Sequence, residues 1–89
     1  MSELAQAAIQ QVVAAFLNKH DANLRPAPDD ELFASGAVNS LFAIELVGFL
    51  ESRYGIKFTV GDLDLNKFAS LHRIAETVLA KQAASAGAA

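Results

Sequence analysis

The fold is decided by the stretch GAVNSLFAIELV, residues 36–47, in which a loop gives way to an almost wholly apolar helix. Asn is one of the best residue types at a helix N-cap, because its side-chain oxygen accepts a hydrogen bond from a free N–H group of the first turn. We therefore predict that Asn39 caps the helix and that Ser40 is its first residue. The Ser40 hydroxyl would then stand at the positive end of the helix dipole, where an attached anionic group is favoured.

Three main helices are predicted on working outward from this stretch. The central one runs from Ser40 to about Tyr54 and ends before Gly55, a residue type common just past helix ends. Apolar residues at three- and four-residue spacing predict a first helix over 3–19 and a last one over 71–82, with Ser70 as the N-cap of the last. A short helix within 61–67 completes the predicted fold class, an all-α bundle with a long first loop.

The first loop, residues 21–38, contains Pro26 and Pro28, which exclude a helix through it. Residues 28–33 can form a single helical turn, with Leu32 and Phe33 as anchors in the core. A later segment, 56–60, alternates like a strand, but one isolated strand has no partner. We therefore expect an extended linker there that buries Ile56 or Phe58.

The helix that begins at Ser40 is apolar almost all round. One face is predicted to enter the core through Ala43, Leu46, Val47, Leu50 and Tyr54. Because a domain of 89 residues cannot surround a helix completely, Leu41, Ile44 and Phe42 are predicted to form an exposed face that binds a partner. The alternative is that these three side chains cover the long loop and the short third helix.

Length, composition and charge exclude several classes of protein. The length predicts a single domain, which we assign to residues 1–82, followed by a flexible alanine-rich tail at 83–89. The absence of cysteine excludes a disulfide scaffold, a thiolate metal site and a cysteine nucleophile. The net charge of −3, with no stripe of Lys and Arg, argues against nucleic acid as a partner. No apolar run reaches the length of about 18 residues that indicates a membrane span, and we expect a cytoplasmic monomer.

Catalytic residues are not evident in the sequence. Ser40 has no histidine, lysine or other base beside it that could activate it as a nucleophile. His20 and His72 lack the neighbours of a metal site. The pattern Asp62-x-Asp64-x-Asn66 lacks the glycine and the glutamate that complete a calcium loop. We therefore expect neither catalysis nor metal binding by the chain itself.

Gly36, the tripeptide Asn39-Ser40-Leu41 and Glu45 resemble the signature of the acyl and peptidyl carrier proteins. The resemblance covers roughly residues 4–82, including the length of the first loop, and implies the four-helix bundle of that family. It implies that Ser40 carries 4′-phosphopantetheine, derived from coenzyme A, through a phosphodiester. Asn39 replaces the usual Asp, which keeps the cap but removes a negative charge. The alternative is that Ser40 is an ordinary residue at a helix start.

The resemblance also implies a partner surface. Leu41 and Ile44 correspond to helix positions through which carriers contact transferases, synthases and ligases. Glu45 and Glu51 correspond to acidic positions that pair with Arg or Lys of a partner. Phe42 stands where carriers of fatty-acid synthesis typically have an acid. Recognition should therefore depend more on apolar contact, which favours a dedicated pathway.

A carrier of this kind is not an enzyme. A phosphopantetheinyl transferase would modify Ser40, and an acyl- or aminoacyl-loading enzyme would then form a thioester with the thiol of the arm. A downstream synthase or transferase would take the group. Because the thiol belongs to the cofactor, a chain without cysteine can still serve thioester chemistry.

The resemblance is greatest to discrete carriers of unusual polyketide extender units, such as methoxymalonyl groups. It rests here on VNSLFA at 38–43 and DLDLNKF at 62–68. A stand-alone aminoacyl carrier loaded by an adenylating ligase remains open. Two alternatives belong to other classes, namely an unmodified helical adaptor that uses the same apolar face, and a lipid- or small-ligand-binding bundle.

Overall fold

The computed structural model describes residues 2–34, 36, 38–62 and 64–88, and at Ser2, Glu3, Ser40, Leu65 and 85–88 it describes the backbone alone. Within these ranges three α-helices form: α1 (Ser2–His20), α2 (Ser40–Tyr54) and α3 (Leu71–Ala88). Two 3₁₀ turns, Val60–Asp62 and Leu65–Phe68, lie between α2 and α3. No β-strand occurs within the described ranges, which confirms the all-helical prediction.

The core forms where one face of each helix meets the others. Leu17, Leu46, Leu50 and Ile74 are completely buried, as expected from the helical spacing of the apolar residues. α1 packs closely along α3, and α2 contacts α3 and the second 3₁₀ turn. Ile56 and Phe68 close the core from the connecting segments, with Phe58 partly buried against them. Residues 56–59 form a linker without helix or strand, as expected, but Val60 already belongs to the first 3₁₀ turn, so the linker is shorter than the expected 56–60.

The helix boundaries follow the sequence signals closely. α2 ends where Gly55 adopts a left-handed conformation with φ of 63°, which glycine reaches without steric cost. At the start of α3, the buried Ser70 hydroxyl accepts a hydrogen bond from the backbone N–H of Arg73 at 3.2 Å, so the predicted cap is confirmed. α3 continues to Ala88, beyond the predicted end near residue 82. The division into a 1–82 domain and a flexible tail stays a prediction.

The first loop is held by its backbone. The N–H of Leu32 donates to the carbonyl of Ala69 at 2.7 Å, and that of His72 donates to the carbonyl of Pro28 at 2.9 Å. Leu32 is buried, as expected. The helical turn thought possible over 28–33 does not form, because the Asp30 carboxylate accepts from the N–H of Ala27 at 2.8 Å and closes a tight turn over 27–30 instead.

The two 3₁₀ turns, Val60–Asp62 and Leu65–Phe68, lie where a short helix was expected within 61–67. Side chains explain the difference, because Asp62 accepts from the N–H of Thr59 at 2.8 Å and Asp64 accepts from the N–H of Asn66 at 2.9 Å. Such local bonds compete with a continuous helix. Leu63 and the Leu65 side chain, the expected buried residues of this helix, lie outside the described part of the structure.

Asp62 ties the first 3₁₀ turn to α3. Its carboxylate accepts hydrogen bonds from Lys81 Nζ at 2.7 Å and from the Thr59 hydroxyl at 2.9 Å, and Lys67 Nζ lies 3.6 Å away. The hydrogen bond from Lys81 and those from Thr59 hold the pKa of Asp62 well below its usual range. The carboxylates of the calcium-like pattern are therefore engaged within the chain.

Candidate functional site

The N-terminus of α2 is capped as predicted. Asn39 is extended, with φ of −84° and ψ of 162°, and its side-chain oxygen accepts from the backbone N–H of Phe42 at 2.9 Å. α2 therefore begins at Ser40. The placement of the Ser40 side chain lies outside the described part of the structure, and its role as an attachment residue stays a prediction.

The first turn of α2 suits an anionic group. A helix begins with N–H groups that have no partner within the helix, and these create a partial positive charge. The first turn carries no acidic residue. With Asn39 in place of an acid at the cap, the local sequence does not neutralise the positive end, and a phosphate at this helix start is electrostatically favoured.

Two backbone hydrogen bonds, one at Gly36 and one at Val38, hold the loop that leads to Ser40. Gly36 has a positive φ of 80°, in the region that residues with a Cβ rarely adopt. Its N–H donates to the carbonyl of Phe33 at 3.1 Å, and the N–H of the buried Val38 donates to the carbonyl of Leu32 at 2.8 Å. Because Leu32 is itself bound to Ala69, the position of the α2 N-terminus is tied to the start of α3.

Two of the three apolar residues predicted to bind a partner are exposed. Leu41 retains 75% and Ile44 70% of its possible accessible surface. They lie one turn apart on α2 and close in sequence to Ser40. Large apolar side chains this exposed indicate an interaction surface when they lie together.

The placement of Phe42 on this face is wrong. Its side chain is only 5% exposed and packs between the first two helices. The ring centroid lies 5.4 Å from that of Phe16 and 4.4 Å from that of His20. Phe42 therefore faces α1, whose aromatic residues cover it, whereas Leu41 and Ile44 face solvent.

The two acids of the predicted partner surface differ. Glu45 is exposed. Glu51 is half-buried, and its carboxylate accepts from the backbone N–H of Phe58 at 2.9 Å. Glu51 therefore helps to hold the linker after α2. The sequence did not reveal this role, because it depends on how the chain after α2 folds back to bring Phe58 beside Glu51.

His20 contributes a contact that sequence reasoning missed. Its exposed ring packs against Phe42 and joins the end of α1 to the start of α2.

Among the residues that the structure describes, no group of three or more His, Cys, Asp and Glu is arranged to hold a metal ion. Nor does any helix in the described ranges have the length and hydrophobicity that crossing a bilayer requires.

Comparison with known proteins identifies the class of the chain. Residues 7–78 match the family described as "Phosphopantetheine attachment site", and the chain belongs to this family. It is a carrier domain of the kind to which 4′-phosphopantetheine is covalently attached. Domains of this family are generally non-catalytic, and they work with phosphopantetheinyl transferases and synthase partners.

A relative gives a more particular likeness. The non-reducing polyketide synthase stbA of Stachybotrys bisbyi is 38% identical over 81 residues, which are 91% of this chain and 3% of that protein. The chain thus spans only a small fraction of the length of this relative. No solved structure matches the chain.

Proposed function

We propose that this chain is an acyl carrier protein with 4′-phosphopantetheine attached to Ser40. The observation that carries the proposal is that Ser40 opens a helix capped by Asn39, within the residues that match the phosphopantetheine family. Of the other serines that the structure describes within those residues, Ser52 lies near the end of the same helix, away from its positive end. Ser70 stands at the positive end of α3, but it is buried and its hydroxyl is already engaged as the cap, accepting from the N–H of Arg73.

The surroundings of Ser40 fit a phosphodiester. Asn39 satisfies one N–H of the first turn, and the dipole of α2 favours a negative group beside the others. The bound group supplies a thiol that holds acyl groups as thioesters. The work of the chain is to fix the attachment point, through the loop contacts of Gly36 and Val38, and to present it beside an exposed apolar surface.

We propose that partner enzymes bind the exposed side of α2 through Leu41, Ile44 and Glu45. The first two supply apolar area, and Glu45 can pair with a basic side chain of the partner. Glu51 borders this surface with one carboxylate oxygen already bonded to Phe58. Phosphopantetheinyl transferase, a loading enzyme and a downstream synthase would share the surface in turn.

The likeness to a polyketide synthase supports a place in polyketide biosynthesis, with an acyl rather than an aminoacyl cargo. Within that class, an unusual extender unit remains our proposal. We also assign residues 1–82 to the carrier domain, followed by a flexible tail, and take the 3₁₀ turns to be the counterpart of the short helix of a four-helix carrier bundle. The proposed protein is a non-catalytic, cytoplasmic monomer.

The test is intact mass after incubation with coenzyme A and a broad-specificity phosphopantetheinyl transferase. The parent chain and a Ser52→Ala variant should each gain one phosphopantetheine, whereas Ser40→Ala should gain none. Ser52 is the matched control, because it is an exposed serine on the same helix. Modification of Ser40→Ala would overturn the attachment site, and a folded parent that is never modified would favour the adaptor alternative.

A further inference from the structure

A groove lies between α1 and α2, on the flank of α2 beside the proposed partner surface. Its lining is Val12, Ala15, Phe16, Lys19 and His20 from α1, and Glu45, Phe49 and Arg53 from α2. α1 packs closely on α3, whereas α1 meets α2 through aromatic rings, and the groove lies along this second contact. The rings of Phe16 and Phe49 stack with centroids 4.2 Å apart and planes inclined by 15°.

The floor of the groove is apolar and partly open to solvent. Phe16, Phe49 and Val12 are each half-buried, and Ala15 is exposed. A contiguous surface of this kind loses water favourably when another apolar surface covers it. From Glu45 to Arg53 the groove follows two turns of α2, a length of about 12 Å. This length suits a short helix better than a compact small molecule.

Both ends of the groove carry basic side chains, and Glu45, the lining residue nearest the start of α2, adds an acid at one of them. The His20–Phe42 contact places Lys19 and His20 near the start of α2, and Arg53 lies about three turns beyond Phe42 along α2. In the described part of the chain, Lys67 and Lys81 pair with Asp62, whereas Lys19 and Arg53 form no ion pair. A chain with net charge −3 thus places three basic side chains and one acid around an apolar floor.

We propose that this groove binds a short amphipathic helix of a partner protein, with apolar residues facing Phe16 and Phe49 and an acid near each end. The acids would approach Lys19 and Arg53, and they would stand about two to three turns apart on the bound helix. The site differs from the attachment serine and from Leu41 and Ile44, and it shares Glu45 with the proposed partner surface. It would let a partner hold the carrier while leaving Leu41 and Ile44 free.

The test uses a designed peptide of about 15 residues, with leucines at helical spacing and a glutamate near each end. The peptide is titrated into the isotope-labelled full chain, and backbone amide shifts report the contact. We expect shifts confined to residues 12–20 and 42–53. A matched peptide with lysines in place of the glutamates should bind at least about tenfold more weakly.

Two sets of variants separate binding from folding. Lys19→Glu with Arg53→Glu should weaken binding of the acidic peptide at least about tenfold, whereas Arg25→Glu with Lys57→Glu, an equal charge change at exposed sites outside the groove, should not. Ala15→Glu should also block the groove. Its control is Ala8→Glu at another exposed position on α1. Thermal unfolding of each variant shows that the fold persists.

Three results would overturn the proposal. One is the absence of shifts in the groove at millimolar peptide, and another is equal binding of the acidic and basic peptides. The third is a shift of the same amides on simple dilution of the free protein, because a second copy of the chain would then occupy the groove. Since phosphopantetheine attachment is measured separately by mass, neither proposal depends on the other.

Discussion

At the scale of single residues, Asn39 decides where α2 begins. Replacement by Ala removes the acceptor for the Phe42 N–H and should lower the free energy of unfolding by about 1 kcal/mol. Asn39→Asp keeps the cap and should leave stability nearly unchanged. Urea denaturation of the two variants beside the parent measures the difference.

The Asn39→Asp variant also tests whether Asn39 slows phosphopantetheine attachment to Ser40. Because Asp and Asn cap about equally well, Asn39→Asp should change the rate of phosphopantetheine attachment only slightly. The rate is followed by intact mass over time. A variant modified many-fold faster than the parent would contradict this view and show that the missing negative charge matters to the transferase.

Asp62 makes stability depend on pH. Its pKa is lowered in the folded chain, so its contribution is fully present above the ordinary aspartate pKa of about 4 and is lost as the pH falls through lower values. The urea midpoint of the parent should therefore fall between about pH 5 and pH 2 more steeply than that of Asp62→Asn. Asp29→Asn, at an exposed position, is the control and should keep the steep fall of the parent.

At the scale of elements, α2 has one side for the core and another for partners. Phe42→Ala should cost about 3–5 kcal/mol of stability, because it removes a buried ring that packs against Phe16. Leu41→Ala should change stability by no more than about 0.5 kcal/mol, because Leu41 is exposed. Thermal unfolding gives both values.

Leu41→Ala should slow phosphopantetheine attachment more than Phe42→Ala does, although Phe42→Ala costs more stability. Both variants are compared under conditions in which they are folded. Leu41→Ala removes apolar area next to Ser40 and should slow the transferase in a chain of normal stability. Phe42→Ala, assayed at a temperature where it is folded, should be affected less. Leu41→Ala modified at the parental rate would remove Leu41 from the proposed partner surface.

Gly48 weakens the middle of α2. It is exposed, a Cβ there would meet no atom within 4 Å, and its φ is not positive. Gly48→Ala should therefore raise the free energy of unfolding by about 0.5–1 kcal/mol. Gly55→Ala should do the reverse, because Gly55 has a φ of 63° at the helix end. A fall in stability for Gly48→Ala, measured by urea denaturation, would refute the argument.

At the scale of the whole molecule, the sequence predicts boundaries better than it predicts surfaces. The start and end of α2 are marked by Asn39 and Gly55, residue types with a specific use at helix ends, and both boundaries are confirmed. The turns at 27–30 and 60–68 were less predictable. Their form depends on carboxylates of Asp30, Asp62 and Asp64 that bind nearby N–H groups rather than continue a helix.

The faces of α2 show why the exposed and buried side chains of the site could not be told apart from the sequence. In sequence, Leu41, Phe42 and Ile44 are three apolar residues with little to distinguish them. Only the position of α1, which brings Phe16 and His20 to Phe42, decides that Phe42 is buried. The groove beside it depends on the same placement, and nothing in the local pattern of either helix indicates it.

The central claim is that phosphopantetheine is attached to Ser40, and fragmentation of the modified chain tests it most directly. Trypsin should release residues 20–53 as one peptide, because Arg25 precedes a proline, and this peptide contains three serines, namely Ser35, Ser40 and Ser52. Fragment masses locate the added group among them. We predict that it lies on Ser40 alone, and attachment to Ser35 or Ser52 would contradict the account.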